Sequence, residues 1–254
     1  MSEQPTTVTP LGEGVARIAW MQDENVDVVR REVAAALVDH QRVEAHVAVD
    51  DETGQRTATW SGMRREGIMR GVDGDLVVYA RLAGDTPVHE PGGFRALLNS
   101  FLPRKRAISQ MLIRDTAEPE PRVLLCQLTY KQDWDLPGGV VEVGESPQEA
   151  VAREVEEELS LTLSPGRLLL TDWLPPWGGW DDALCLVFDG GAHDPSIVEL
   201  IVEQEREIRS AAFLTAAEVA ERAADFTARR VAAALRNACP GLDGAGPAYT
   251  ESGR

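Results

Sequence analysis

The chain has 254 residues, of which 42 are acidic and 25 are basic, so its formal net charge at pH 7 is −17. This excess of negative charge opposes binding to a nucleic acid polymer, because such binding is driven largely by Lys and Arg contacts to phosphates. No stretch has the length and apolarity of a membrane span, and residues 1–5 lack the basic and apolar regions of a signal peptide. We therefore expect a cytoplasmic protein without membrane contact.

The three cysteines, Cys126, Cys185 and Cys239, are far apart in the chain and odd in number. Two of them lie in apolar stretches that predict strands, so we expect buried, reduced thiols. The four histidines show no spacing typical of a metal site. Neither residue type therefore indicates the chemistry of the chain.

The first third of the chain predicts a small α+β domain. Residues 26–39 have the composition of a helix, and residues 43–49 alternate apolar and polar side chains, as an exposed strand does. Together with SGMRREGIMRG and DLVVYARLAGD, these stretches resemble the C-terminal half of a GNAT-type N-acetyltransferase. We expect residues 1–86 to form a truncated GNAT-like domain and residues 87–102 a linker, because prolines and glycines cluster at its start.

The GNAT resemblance implies a glycine-containing loop before the long helix, whose backbone amides hold the pyrophosphate of acetyl-CoA. Residues 21–25, Met-Gln-Asp-Glu-Asn, stand at this place, contain no glycine and include two acids. Acidic side chains there would repel the cofactor phosphates. We therefore expect no acetyl transfer, and we interpret the segment as a cover for an apolar face or as a surface for self-association, for example in a homodimer.

Residues 139–161, GVVEVGESPQEAVAREVEEELSL, carry the most specific pattern in the chain. Residues 146–149 predict a helix start, with a serine N-cap, proline at the first helical position and glutamate three residues after the cap. An apolar residue recurs every fourth position from 151 to 159, which predicts an apolar stripe along that helix.

Three glutamates on this helix, Glu154, Glu157 and Glu158, are spaced i, i+3 and i+4, so their carboxylates neighbour one another. Clustered carboxylates repel, and a hard divalent cation such as Mg²⁺ would relieve the repulsion because it prefers oxygen ligands. Taken alone, the same three residues could be a solvated acidic helix face.

Residues 139–161 follow the pattern Gly, five residues, Glu, seven residues, and then Arg-Glu-Val-x-Glu-Glu-x-Ser-Leu. This pattern resembles the Nudix box, the signature of enzymes that cleave a diphosphate linked to another moiety. Ser160 stands where the family usually has glycine, and a left-handed serine at a helix end costs about 1 kcal/mol. The segment Trp-Asp-Leu-Pro-Gly-Gly at 134–139 is also typical of the family.

The resemblance implies a Mg²⁺ site, with Mn²⁺ as the alternative ion, formed by Glu154, Glu157 and Glu158. It implies catalytic roles for Glu157, Glu158, Arg153 and Glu145, the last two as partners that orient the metal-binding glutamates. Arg153 is a cation and would not bind the ion itself.

The surrounding sequence predicts one domain over residues 103–240. Strands are predicted at 107–113, 123–128, 167–173, 183–188 and 208–214, with a polar turn at 117–121. Thr215 caps a helix that is expected to continue to about Ala238. We expect a Nudix α/β/α sandwich with a mixed sheet, followed by a flexible tail at 241–254.

Four residues are candidates for substrate binding: Gly138, Gly139, Trp173 and Trp177. The glycines would let the backbone approach the ion, and the tryptophans belong to the segment DWLPPWGGW at 172–180, where rings could stack on a nucleobase or fill the core edge. Pro176 lies near the position where family members that cleave ADP-ribose often carry a proline. ADP-ribose, a nucleotide sugar and a nucleoside triphosphate all remain candidate substrates.

A general base could come from Glu203, Glu205 or Glu207, just before the last predicted strand, or from Glu157 or Glu158. The leading hypothesis is a Mg²⁺-dependent hydrolase of a nucleoside diphosphate linked to another moiety. The alternative is a non-catalytic Nudix module that senses a nucleotide and regulates a partner through the N-terminal segment.

Overall fold

The fold is given by a computed structural model, which describes residues 6–21, 24–116, 122–130, 132–238 and 246–254. The chain forms two compact units, residues 1–103 and 104–254. The expected turn at 117–121, Cys239 and the first part of the expected tail lie outside the described residues. Within the described part of the chain, no helix combines the length and apolarity needed to cross a membrane.

The N-terminal unit is a mixed sheet with three helices. Its elements are β1 (Thr7–Gly12), β2 (Val15–Ala19), α1 (Val26–Asp39), β3 (Arg42–Ala48), α2 (Glu52–Trp60), β4 (Arg64–Met69), β5 (Leu76–Leu82) and α3 (Pro91–Phe101). The strand order is β1-β2-β3-β5-β4, and β2 and β3 are parallel because α1 connects them as a crossover. The prediction of α1 is confirmed at both ends, whereas β1, β2 and α2 were not predicted.

Residues 91–101 form helix α3, not the expected linker. Pro91 occupies the first turn, where proline is favourable, so the prolines and glycines that predicted a linker here mark a helix start. Leu97 is buried, and Ser100 Oγ accepts a hydrogen bond of 3.1 Å from the backbone N–H of Arg65 in β4. The N-terminal unit therefore extends beyond the predicted boundary at residue 86.

The C-terminal unit is built on a second mixed sheet. Its elements are β6 (Arg106–Asp115), β7 (Val123–Leu128), β8 (Trp134–Asp135), β9 (Gly138–Val140), α4 (Pro147–Leu159), β10 (Leu168–Leu174), β11 (Ala183–His193), a 3₁₀ helix (Pro195–Leu200), β12 (Ile208–Leu214), α5 (Ala216–Arg222), α6 (Asp225–Ala238) and β13 (Ala248–Glu251). The strand order is β12-β7-β6-β11-β10-β13, with β8 paired to β7 and β9 to β6. β6 is parallel to β11 and β10 to β13, so the expected mixed α/β fold is confirmed.

Helices cover both faces of this sheet. Successive side chains of a strand point to opposite faces, so Met111 of β6 packs with Val155 of α4, while Leu112 packs with Val231 of α6. The five strands predicted from the sequence all lie in this sheet, and β7 and β12 have the predicted bounds. The unit is thus a three-layer α/β/α arrangement, as expected.

Two predictions in the C-terminal unit are corrected by the structure. The helix expected from Thr215 to Ala238 is two helices, because Ala223 adopts an extended conformation and pairs with Trp134. Residues 248–251 of the expected flexible tail form strand β13 on the edge of the sheet, beside β10. Glycine and polar residues suggested mobility, but the hydrogen-bond partners of this segment are about 80 residues away in the sequence.

Helix α4 has the predicted start and an unusual end. The side chains of Ser146 and Glu149 form a capping box. At the other end, Ser160 has φ +57° and ψ 28°, the left-handed conformation that usually requires glycine. Its hydroxyl donates a hydrogen bond of 3.2 Å to the carbonyl of Val202.

We expect the free energy of unfolding of Ser160→Gly to exceed that of Ser160→Ala by about 0.5–1 kcal/mol, because both lose the hydroxyl but glycine adopts the left-handed conformation without the steric cost of a Cβ. Urea denaturation followed by fluorescence would measure the change. Ser160→Ala is the matched control, since it keeps the Cβ and loses the hydroxyl, and it should give no gain. A glycine variant no more stable than the alanine variant would contradict this account.

Candidate active site

Helix α4 and strand β9 bring two of the predicted glutamates against the glycine pair. Glu158 is 5% exposed, and its Oε2 accepts a hydrogen bond of 3.0 Å from the backbone N–H of Gly138. A Cβ built on Gly139 would lie 2.6 Å from the carboxyl group of Glu154. The backbone of β9 therefore contacts both carboxylates, and it can do so because these residues are glycines.

Gly138 is required by its conformation as well as by space. Its φ is +134°, and a Cβ there would lie 2.1 Å from the carbonyl oxygen of Ser109 in β6. Such a φ is uncommon for residues with a side chain. Strand β9 is thus held tightly between β6 and α4.

Arg153 connects three glutamates of the predicted site: the predicted catalytic residues Glu145 and Glu157 and the predicted metal ligand Glu154. Its Nε and Nη2 donate to the two oxygens of Glu145, at 2.8 and 3.0 Å. Its Nη1 donates to Glu154 at 3.0 Å and to Glu157 at 3.1 Å. The hydrogen bond from Arg153 lowers the pKa of Glu145. Arg153 thus fixes the direction of these carboxylates, which is the arrangement that an orienting role requires.

Glu158 and Glu154 both have raised pKa values. Burial raises the pKa of Glu158 to about 8, and the negative charges of Glu154, Glu207 and Asp135 add to the shift, while the hydrogen bond from Gly138 opposes it. Burial also raises the pKa of Glu154, although the contact with Arg153 lowers it. Glu158 therefore holds a proton near neutral pH unless another cation takes its place, and Glu154 binds a proton more tightly than an exposed glutamate does.

The carboxylate oxygens of Glu154 and Glu158 are suitable ligands for a hard divalent cation, although the third predicted ligand, Glu157, is directed towards Arg153. The side chain of Glu157 is 57% exposed and directed to Arg153. Among the residues that the structure describes, no three Asp, Glu, His or Cys side chains converge as a ready cation site. The oxygen donors of Glu154 and Glu158 and the space left by Gly139 nonetheless fit such an ion.

The two predicted tryptophans have different surroundings. Trp173 in β10 donates from Nε1 to Asp182 at 3.3 Å and lines a cavity of about 670 Å³ together with Tyr249 of β13. Trp177 is 70% exposed, and its ring lies 6.1 Å from that of Phe226 in α6. Trp177 is therefore the ring that is free to stack on a ligand.

The three candidate general bases, Glu203, Glu205 and Glu207, differ in their surroundings. Glu203 Oε1 accepts a hydrogen bond of 3.0 Å from the backbone N–H of Ala211, which engages it in the fold. The charge of Glu207 raises the pKa of both Glu154 and Glu158, so Glu207 lies near the carboxylate cluster. Glu205 is exposed.

Several residues near the site were not predicted from the sequence. Tyr130 is one, since desolvation and the charges of Asp135 and Glu158 raise its pKa. A buried chain of Asp135, Gln110 and Arg230 lies on the other side of the sheet. Of these residues, only Arg230 could have been noticed in the sequence, as an arginine among the apolar positions of α6. Tyr130, Asp135 and Gln110 belong to no local pattern that would indicate a role in the site.

The thiols are as expected where the structure describes them. Cys126 and Cys185 are free and buried. Burial raises the pKa of Cys185 to about 11, so this thiol is protonated at neutral pH. Neither cysteine is a candidate nucleophile.

A NUDIX domain family model matches residues 103–235, which is more than half of the chain. The chain belongs to the Nudix family. YjhB from Bacillus subtilis (strain 168), whose name provisionally assigns it as an ADP-ribose pyrophosphatase, is 39% identical over 57 residues. That segment is 22% of this chain and 27% of YjhB, so the match spans about a quarter of the relative.

Three solved structures are similar to somewhat more than half of the chain. The MutT protein from Methanosarcina mazei Go1 is 23% identical, with 55% of this chain and 96% of that chain covered and a TM-score of 0.43. The NUDIX domain of Shewanella oneidensis NrtR complexed with ADP ribose is 14% identical, with 54% and 91% covered and a TM-score of 0.47. An ADP-ribose pyrophosphatase from Streptococcus suis 89-1591 is 18% identical, with 58% and 99% covered and a TM-score of 0.42.

The raised pKa of Glu158 predicts how the stability of the metal-free protein depends on pH. Glu158 binds a proton more tightly in the folded state than in the unfolded state. The stabilisation that this difference gives is complete below about pH 4.5 and is lost as pH rises towards about 8. Relative to Glu158→Gln, the wild-type chain should lose up to about 1.4 kcal/mol of unfolding free energy per pH unit in this window.

Urea denaturation in EDTA at several pH values would measure this difference. Glu156→Gln, an exposed change on the same helix, is the matched control and should follow the wild-type curve. Parallel curves for wild type and Glu158→Gln would contradict the shifted pKa.

Proposed function

We propose that the chain is a Mg²⁺-dependent pyrophosphohydrolase that cleaves a nucleoside diphosphate linked to another moiety. The observation that carries this proposal is the contact of Glu154 and Glu158 with the glycine pair Gly138 and Gly139. Family membership supports the same reaction class. Mn²⁺ is the alternative ion, because both ions accept this set of oxygen donors.

Glu154 and Glu158, joined by Glu157, are the residues that would hold the ion. Bound there, Mg²⁺ would neutralise charge that develops on the phosphoryl oxygens and would lower the pKa of a water molecule. Arg153 holds Glu154 and Glu157 through Nη1, and Glu145 in turn holds Arg153 by two hydrogen bonds. Glu154 therefore needs little reorganisation, whereas Glu157 would have to turn from Arg153 towards the ion.

Glu207 is our candidate for the general base. It is exposed, and its charge acts on Glu154 and Glu158, so it lies near the position that the attacking water would take. Glu203 is less suited, because one of its oxygens is engaged by the backbone of Ala211. A carboxylate in this position would accept the proton that the water loses as it attacks phosphorus.

Trp177 and Phe226 are our candidates for contact with the nucleoside. Phe226 lies in the first turn of α6, directly after the turn that joins α5 to α6. Arg222 ends α5 on the other side of this turn and lies 5.5 Å from the ring of Trp134, which begins the segment that contains the glycine pair. This turn connects the pair of Trp177 and Phe226 to the site. Stacking on such a ring contributes about 1–3 kcal/mol for each base.

An ADP-ribose-type substrate is our first choice. Pro176 stands near the position where ADP-ribose-cleaving family members often have proline. The name of YjhB refers to the same substrate class. Nucleotide sugars and nucleoside triphosphates are the other classes to compare.

We also infer that the N-terminal unit is a GNAT-like domain without acetyl transfer. The parallel pair β2 and β3 with α1 between them supports the likeness. At the start of α1, however, Asn25 accepts from the N–H of Asp27, and Glu24 accepts from that of Asn25, so these amides are engaged by the chain itself. Heat of binding on titration with acetyl-CoA would overturn this inference.

The proposed reaction predicts turnover of one substrate class in the presence of Mg²⁺. We expect phosphate-containing products from ADP-ribose in a panel that also contains nucleotide sugars, dinucleotides and nucleoside triphosphates. Glu157→Gln should lower kcat by about 100-fold or more, because a ligand of the ion is lost while this exposed side chain is not needed for folding. Glu156→Gln is the matched control and should keep wild-type activity.

Two outcomes of this panel would contradict the proposal. Turnover that survives Glu157→Gln would show hydrolysis but would exclude Glu157 as a ligand that the reaction requires. A ligand that raises the melting temperature of the chain but is not turned over would favour the alternative, a Nudix module that senses a nucleotide.

The role of Glu207 predicts a specific kinetic effect. Glu207→Gln should lower kcat by about 100-fold with KM nearly unchanged, since a general base acts in the transition state and contributes little to substrate binding. Glu205→Gln, two residues away and also exposed, should have wild-type kinetics. Equal loss in the two variants would exclude Glu207 as the base.

A further inference from the structure

Helix α6 carries a buried arginine on the face that packs against the sheet. Arg230 is 2% exposed, and its Nε donates a hydrogen bond of 2.9 Å to Oδ2 of Asp172 in β10, which is fully buried. Removing charges from water costs several kcal/mol for each ion, and an apolar pair of similar volume often stabilises a protein at least as well. Stability alone therefore does not account for this ion pair.

The second oxygen of Asp172 binds the last strand and the turn that follows it. Oδ1 accepts a hydrogen bond of 2.7 Å from Thr250 Oγ1 and one of 2.8 Å from the backbone N–H of Gly253. Both carboxylate oxygens are thus engaged, one by α6 and one by the segment containing β13. Asp172 joins these two elements at a single buried point.

Arg230 also determines the orientation of an amide side chain in β6. Its Nη1 donates to Oε1 of Gln110 at 3.0 Å, and Cys185 donates to the same oxygen at 3.2 Å. An arginine can only donate, so it holds the amide oxygen towards itself. The amide nitrogen of Gln110 consequently faces away and donates to Oδ1 of Asp135 at 2.9 Å and to the carbonyl of Leu136 at 3.3 Å.

The far end of this chain of hydrogen bonds is the segment that contacts the carboxylates of α4. Asp135 Oδ1 accepts from the backbone N–H of Leu136 at 2.9 Å. Two residues later, the N–H of Gly138 donates to Oε2 of Glu158 at 3.0 Å. A buried network therefore runs from Thr250, through the sheet, to the backbone beside the proposed metal-binding residues.

We propose that Arg230 and Asp172 are positioning residues of the active site, acting through Gln110 on the backbone segment 135–138. The inference rests on the proposed hydrolase function, and neither residue would touch the substrate. Misplacing a reacting group by about 1 Å can lower a rate about 100-fold, so a small shift of this segment would be measurable.

Two substitutions test the network without creating an unpaired buried charge in the ion pair. Gln110→Met removes the amide that bridges Arg230 and Asp135, leaves only their direct approach of 3.9 Å, and keeps the pair with Asp172 in place. Thr250→Val removes one hydroxyl donor and keeps the shape of the side chain. Both are far milder than loss of Arg230, which could prevent folding.

The first measurement is amide hydrogen exchange of residues 134–140 in the full chain without metal. We expect faster exchange in both variants, because Asp135, the acceptor of the Leu136 N–H, is held less firmly once the network is interrupted, and the backbone from 135 to 138 then opens more often. The second measurement is kinetics, where Gln110→Met should lower kcat about 10-fold with KM within about twofold. Thr250→Ser restores the hydroxyl and should return both readouts to wild type.

Asp189→Asn is the matched control. It disrupts another ion pair of the same unit, Arg114–Asp189 at 2.8 Å, whose hydrogen bonds reach Ala238 and Gly191 and not the segment 134–140. This variant should lower stability while exchange at 134–140 and kcat stay at wild-type values.

Wild-type exchange at 134–140 in folded Gln110→Met and Thr250→Val would overturn the proposal. A loss of kcat in Gln110→Met that is matched by an equal loss in Asp189→Asn would also overturn it, because destabilisation alone would then account for the effect. If the wild-type chain hydrolyses no diphosphate substrate, the proposed function fails, and the exchange measurement still decides whether the network positions this segment.

Discussion

The close approach of strand β9 to both β6 and α4 is the constraint on which the candidate site depends. A side chain at Gly138 would collide with the carbonyl of Ser109, and one at Gly139 would collide with the carboxyl group of Glu154. Ser109 also donates from its hydroxyl to the carbonyl of Pro147 at 2.6 Å, which ties β6 to the first turn of α4. Strand β6 therefore fixes the positions of both the glycine backbone of β9 and the glutamate helix α4.

This crowding concentrates negative charge in a chain that is already acidic. Burial and mutual repulsion make the ionised form of Glu158 unfavourable, whereas Arg153 compensates the charges of Glu145, Glu154 and Glu157. Such an arrangement reduces stability in the absence of a further cation. Sites of this kind are retained for binding and chemistry more often than for folding.

Both faces of the sheet contribute to the site because the side chains of β6 alternate. Ser109 and Met111 face α4, whereas Gln110 faces α6 and its buried arginine. The same three residues thus connect the glutamate helix, the glycine segment and the ion pair of Arg230 with Asp172. The order of neighbouring side chains in one strand places elements from distant parts of the chain around one position.

The sequence by itself determined the local features. Helix α4 with its capping box, the box pattern at 139–161 and the five strands of the predicted sheet depend on neighbours within a few residues, where periodicity and capping residues are informative. Only the tertiary structure decided the extent of the N-terminal unit, the break between α5 and α6, the pairing of β13 and the difference between Glu203 and Glu207. Those features depend on contacts such as Gln110 with Arg230, 120 residues apart, for which the local sequence contains no pattern.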